Sequence, residues 1–460
     1  MDVIRFMRAC ALALGIVAAT GIAADAAGPQ IDATSKSVSW PQTYHDAGHT
    51  GYNPVEKMIS PSNVAKLQQS WGLNFSGQVY AMVIDSGTLF VEAQQQASGA
   101  PYLFAFDLAS HNQKWSVDLG SAEGIYPPVT TMAAAHNRVF AMCGGPSSPG
   151  GVCAYSEGTG KLLWSFIPTS CCALTEPLVY SGGVVYAGFN LGNNTAAFYA
   201  VNATTGKQVW GSPGAPQDLA PVVGGGLVFY DCNLGTFSKS AAGICAVHQA
   251  DGTPAWQVTL NDNTAGKDIG LTFGNGTLYA HTAVPDGSGW RGEMVALNPS
   301  SGTQLWLTQY GSTCSVDCYH PFPGALTKKA IYISGFDGVR YAFNATTGTL
   351  LWQQSFGGPG GSYPSSPSVA NGVVYANAGI VGSNYALLTA YSASNGKILW
   401  TSPQPPYGGS TLEIPPIILN GNLYAANGMQ SGCELCVYAL GVPGSRSKMP
   451  TEHHFGIVRP

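Results

Sequence analysis

Apolar and polar side chains along this chain follow one pattern that returns seven times. The segments are Phe104 to Trp115 (FAFDLASHNQKW), Cys153 to Trp164 (CAYSEGTGKLLW), Tyr199 to Trp210 (YAVNATTGKQVW), Cys245 to Trp256 (CAVHQADGTPAW), Val295 to Trp306 (VALNPSSGTQLW), Tyr341 to Trp352 (YAFNATTGTLLW) and Thr389 to Trp400 (TAYSASNGKILW). Each opens with alternation around an Ala, which predicts a strand whose small residue lets a neighbouring sheet approach. A polar residue and then Gly turn the chain, because Gly tolerates the left-handed backbone of such a hairpin. The Trp four residues after that Gly buries a large ring between sheets. The first segment carries His111 in place of the Gly. His is among the residues enriched at positive φ, so its turn is expected to be weakened but kept.

A second pattern lies between these segments: Pro-x-Val, a Gly turn, then Val-x-Tyr-Ala. Pro177 to Ala187 (PLVYSGGVVYA), Pro367 to Ala376 (PSVANGVVYA) and Pro416 to Ala425 (PIILNGNLYA) are examples, and they read as two inner strands. The Trp-to-Trp steps are 49, 46, 46, 50, 46 and 48 residues, a period that suits a four-stranded propeller blade. The eighth repeat is split. Val437 to Leu440 matches the Ala-containing strand without a following Trp, and the missing Trp is Trp71 in Val64 to Leu73. The expected fold is all-β, an eight-bladed propeller of four-stranded blades whose N-terminal strand completes the last blade. Closure in this way is expected to leave no exposed sheet edge.

The Ala-x-(Asp/Asn)-x-x-(Thr)-Gly-x-x-x-Trp unit resembles the tryptophan-docking repeat of the pyrroloquinoline-quinone-like family, which includes quinoprotein dehydrogenases and an outer-membrane-protein assembly propeller. The resemblance covers roughly residues 60–441, and Trp40 to Pro54 (WPQTYHDAGHTGYNP) resembles the lead-in strand of secreted members. It implies the propeller fold. It does not by itself imply the quinone, since many propellers of this group bind none.

Composition agrees with many tight turns: charged residues are 9%, with 59 Gly and 30 Pro. Residues 1–26 read as an export signal, with Arg5 and Arg8 before an apolar run from Ala9 to Ala23 and small residues at Ala24-Asp25-Ala26. Residues 27–59 form a lead-in segment, 60–443 the propeller, and 444–460 a tail expected to be disordered. The expected product is periplasmic or secreted, with no transmembrane anchor after the signal is removed. A net charge of −5 argues against nucleic acid as a partner.

Ten cysteines remain beyond Cys10, and an even count in an exported chain favours disulfides. Local pairing joins Cys143 with Cys153, Cys171 with Cys172, Cys232 with Cys245, Cys314 with Cys318 and Cys433 with Cys436. All five fall on second-to-third-strand loops or blade connections, which emerge on the same face. Cys171 and Cys172 have a further implication from the resemblance, since quinoprotein alcohol dehydrogenases stack a ring of adjacent cysteines on their quinone; the alternative is that each pairs elsewhere. Cys314, Cys318 and His320 have zinc-like spacing, but export favours the disulfide.

Blade connections also hold Glu123, Glu176, Asp218, Asp268, Asp317 and Glu413, which read either as a weakly cation-attracting mouth or as solvated loops. A quinone enzyme needs Ca²⁺ on oxygen ligands, a carboxylate base, an Arg and an aromatic floor. Glu176 and Asp268 are the candidates for base and metal, and Cys171, Cys172, Trp290 and Arg291 for pyrroloquinoline quinone. Their spacing does not reproduce the catalytic order of the dehydrogenases, and the repeats lack large inserted loops. The leading expectation is a non-catalytic binding or assembly propeller that offers its disulfide-rich face to a protein, peptide or carbohydrate, with no cofactor. The alternative is a periplasmic quinone- and Ca-dependent alcohol dehydrogenase.

Overall fold

The computed structural model describes residues 39–75, 77–94, 101–120, 132–144, 150–168, 178–192, 195–213, 221–233, 242–261, 269–287, 289–314, 322–335, 337–356, 365–379, 386–403, 414–426 and 434–441. The expected export signal and tail lie outside these residues. Among the described residues, the strands form eight sheets, each with an antiparallel four-stranded meander. Blade 1 runs from Val79–Asp85 to Gln113–Asp118, and blade 7 from Ser368–Ala370 to Ile398–Thr401. First strands of consecutive blades adjoin one another, so they surround the axis. Blade 8 is built as expected from both ends of the chain: Leu67–Leu73 pairs antiparallel with Leu435–Leu440.

Local sequence explains the turns. In seven blades the first two strands are joined by two residues of positive φ, such as Asn275-Gly276, Asn371-Gly372 and Asn420-Gly421. Two left-handed residues give the turn that matches strand twist, which is why Asn and Gly recur there. Between third and fourth strands, a polar side chain caps the turn. Asn202 and Asn344 each accept two backbone N–H groups through Oδ1.

The docking Trp is placed by register and by the next blade. Trp115, Trp164, Trp210, Trp256, Trp306, Trp352 and Trp400 each pair across from the Ala of their own third strand, and Trp71 pairs with Val437. The indole N–H then donates to a carbonyl of the following blade, for example Trp115 to Glu157 at 2.8 Å and Trp352 to Ala393 at 3.0 Å. Its ring lies against that blade's turn Gly, so a Cβ on Gly396 would approach Trp352 to 2.5 Å. His111 keeps a φ of 60° and stacks on Trp71 with ring centroids 4.1 Å apart, so contact replaces what the Gly would have provided.

The buried apolar residues form clusters between neighbouring blades rather than one central core. One expectation is corrected. Closure joins the first blade to the last but does not abolish edges, because the fourth strand is terminal in every sheet. A radial array can close only its ring, and each blade keeps one short outer edge. On these strands Leu162, Leu305, Leu350 and Ile398 are exposed.

Candidate functional site

A four-stranded meander sends its chain reversals to two faces. First-to-second and third-to-fourth turns lie on one (the turn face); second-to-third loops and blade connections lie on the other (the mouth face). The described strand ends that bound the longer connections lie on the mouth face. The turn face is closed by the lead-in segment. Trp40 exchanges backbone hydrogen bonds of 2.7 and 2.9 Å with Ile84 of blade 1, and Ala134 of blade 2 donates to the Pro41 carbonyl. The Gln42 amide clasps the Tyr180 backbone of blade 3 at 2.9 and 3.0 Å. The N–H groups of Val223, Phe273, Leu326 and Val369, in blades 4 to 7, donate in turn to Ala47, Gly48, Thr50 and Gly51. Asn53 then donates to Ile418 of blade 8 at 2.7 Å. Every blade is thus tied to one short loop that circles the axis.

The loop holds its own shape through Asp46. Its Oδ1 accepts from Gly48 and Thr50 N–H at 3.1 Å each, and its Oδ2 from the Thr50 hydroxyl. Burial acts to raise this carboxyl, but hydrogen bonds from His45 and Thr50 outweigh it and hold it below the usual range. His49 is buried, and burial pushes it down to about 3, so its ring is neutral. His45 and His49 take φ of 79° and 55°, a left-handed backbone rarely adopted away from Gly. Gly48 has a steric reason: a Cβ there would lie 2.2 Å from the Phe273 carbonyl oxygen. Sequence reading recognised the segment but not its circuit, because its contacts reach across the whole chain.

On the mouth face, disulfides Cys143–Cys153 and Cys232–Cys245 bracket the second-to-third-strand hairpins of blades 2 and 4, as spacing implied. Cys436 is also disulfide-bonded. Cys171, Cys172, Cys318 and Cys433, and the side chain of Cys314, lie outside the described residues. So do Glu123, Glu176, Asp218, Asp268, Asp317 and Glu413. Trp290 and Arg291 are described. Both lie on Gly289–Leu297, the third strand of blade 5, two strands outward from the axis, where both are partly exposed. Arg291 pairs with Asp286 across the same hairpin at 3.1 Å, and Asp286 also accepts from the Thr313 hydroxyl at 2.6 Å. The two described members of the quinone set therefore do not form a cradle at the axis. Among the described residues no group of three or more His, Cys, Asp or Glu is placed to hold a metal.

These features define an eight-bladed β-propeller with tryptophan-docked blades, sealed on one face and loop-rich on the other. A family profile described as outer membrane protein assembly factor BamB matches residues 148–315 and 320–437, more than half of the chain. The chain belongs to this family of pyrroloquinoline-quinone-like repeat propellers. No curated protein matches the sequence. Similar solved structures include quinohemoprotein alcohol dehydrogenase ADHIIG from Pseudomonas putida HK5, at 13% identity and TM-score 0.64, covering 90% of this chain and 82% of that one. The quinohemoprotein alcohol dehydrogenase of Comamonas testosteroni gives 13% and 0.63, covering 92% and 83%. BamB from Moraxella catarrhalis gives 15% and 0.53, covering 81% and 99%. At these identities the likeness is one of fold.

Proposed function

We propose that this protein is an exported, non-catalytic binding or assembly propeller, which engages a protein partner through its mouth face. The observation that carries this reading is the asymmetry of the two faces. Tight turns and the circling lead-in segment fill one face, while the strand ends that bound the longer connections and both described disulfides lie on the other. Loops held by a rigid scaffold are where binding functions concentrate. Disulfides on that face suit an oxidising compartment outside the cytoplasm. The family profile, described for an assembly factor, supports the same reading.

Two measurements test it. Purified protein is mixed with pyrroloquinoline quinone and Ca²⁺; the expected result is no bound-cofactor absorbance and no dye-linked alcohol oxidation, and the appearance of both establishes the dehydrogenase instead. A photo-crosslinking residue is then placed at Gly287 on the mouth face and, separately, at Thr347 on the turn face, in cells exporting the protein. Adducts from position 287 alone are expected. Adducts from 347 alone overturn the assignment of the face.

A further inference from the structure

Arg340 stands on the third strand of blade 6, Val339–Asn344, and is 1% exposed. Its place in the repeat makes it conspicuous. Two residues before the third-strand position that pairs with the docking Trp, the other seven blades carry Leu103, Val152, Phe198, Ile244, Met294, Leu388 and Leu435. All seven are apolar and buried. The fold therefore fills this position with a hydrocarbon side chain, and blade 6 alone places a cation there.

Among the described residues that cation has no counter-charge: no carboxylate pairs with it. One nitrogen, Nη2, donates to the Asn377 carbonyl of blade 7. The face of the guanidinium lies 3.8 Å from the Phe356 ring centroid, which leaves its N–H edge for other partners. Nε and Nη1 are buried without a well-aligned hydrogen-bond partner, and the buried Tyr391 hydroxyl lies beside them, within reach of the guanidinium and of Thr389. An unpaired buried charge with unmet donors is strongly unfavourable, and it persists where something satisfies it.

We propose that Arg340 is the seat of a binding site for a small monovalent anion, chloride or a carboxylate of similar size, buried between blades 6 and 7. The anion accepts from Nε or Nη1 and from the Tyr391 hydroxyl, and neutralises the guanidinium. Both blades contribute donors, so occupancy fastens blade 6 to blade 7 just beneath the mouth face. Ser334 and Ser365 already join these blades there, through a 2.7 Å bond from the Ser334 hydroxyl to the Ser365 carbonyl.

The test is thermal unfolding of the full mature protein in sodium chloride, sodium bromide or sodium formate, with sodium gluconate holding ionic strength constant. A saturating small anion is expected to raise Tm by about 2–4 °C. A response to halides assigns chloride, and a response to formate alone assigns a carboxylate. The Arg340→Leu variant carries the residue other blades use at this position, so it is expected to fold and to lose the response, while Arg340→Lys keeps a weaker one. Equal Tm in all salts, or an unchanged response in Arg340→Leu, overturns the site. Should Arg340→Leu fail to fold, bromide-soaked crystals of the unaltered protein decide the matter. An anomalous peak beside Nε or Nη1 is expected, and its absence overturns the proposal.

Discussion

At the scale of single residues, the repeat marks where side chains depart from what the fold requires. Glu157 is one such departure. It occupies the turn position held by Ala203, Ala345 and Ala393 in other blades, and it is buried there with Oε1 unpartnered. Burial, with the Asp85 carboxylate adding to it, pushes its carboxyl up from 4.5 to about 7. The folded protein thus holds this proton more tightly than the unfolded chain does. Stability is accordingly lost as pH rises from about 4.5 through 7, where the folded state ionises the group at a cost. Glu157→Ala is expected to stabilise the protein by about 1–3 kcal/mol at pH 8. Below pH 4.5 the advantage should vanish. Denaturant unfolding at both pH values checks this, and a gain independent of pH would rule out the titration as its cause.

At the scale of elements, the lead-in segment is the piece whose importance most exceeds its length. Its hydrogen bonds reach an inner strand in each of the eight blades. Two glycines separate steric need from conformational need. Gly48 meets the Phe273 carbonyl, whereas Gly87, at φ 75°, has nothing within 4 Å of a Cβ. Gly87→Ala is expected to cost about 1 kcal/mol through its left-handed backbone alone. Gly48→Ala must push the loop off blade 5, with an expected cost of about 2–4 kcal/mol. Chemical unfolding of the two variants compares them; equal losses would show that the loop yields freely. The turns were legible in the sequence because Asn-Gly and Gly-Gly carry their own geometry. The circuit was not, because each of its hydrogen bonds joins a residue near position 45 to a different, distant blade.

At the scale of the whole molecule, the ring is held by its blade-to-blade interfaces, while the two described crosslinks each act within one blade. Each docking Trp ties its blade to the next, and Trp71 brings the N-terminal strand into blade 8. The disulfides Cys143–Cys153 and Cys232–Cys245 each close one hairpin within one blade. Reduction is therefore expected to leave the propeller folded and to loosen those two hairpins, at about 2–3 kcal/mol each. Hydrogen exchange should show protection lost locally around residues 143–153 and 232–245. Loss of protection across all blades would mean that the crosslinks hold the ring.

Taken by itself, the sequence determined the number of blades, the residue that docks each one, and the strand that closes the ring. These are local and repeated, so seven or eight copies of a weak signal add to a strong one. It also determined two of the disulfide pairings, since each joins neighbouring strands of one hairpin. Tertiary structure alone decided which way the molecule is open. The seal of the turn face, the pairing of Arg291 with Asp286 and the lone burial of Arg340 all depend on which blades become neighbours in space. Those neighbours are set by closure of the ring, a property that no single repeat contains.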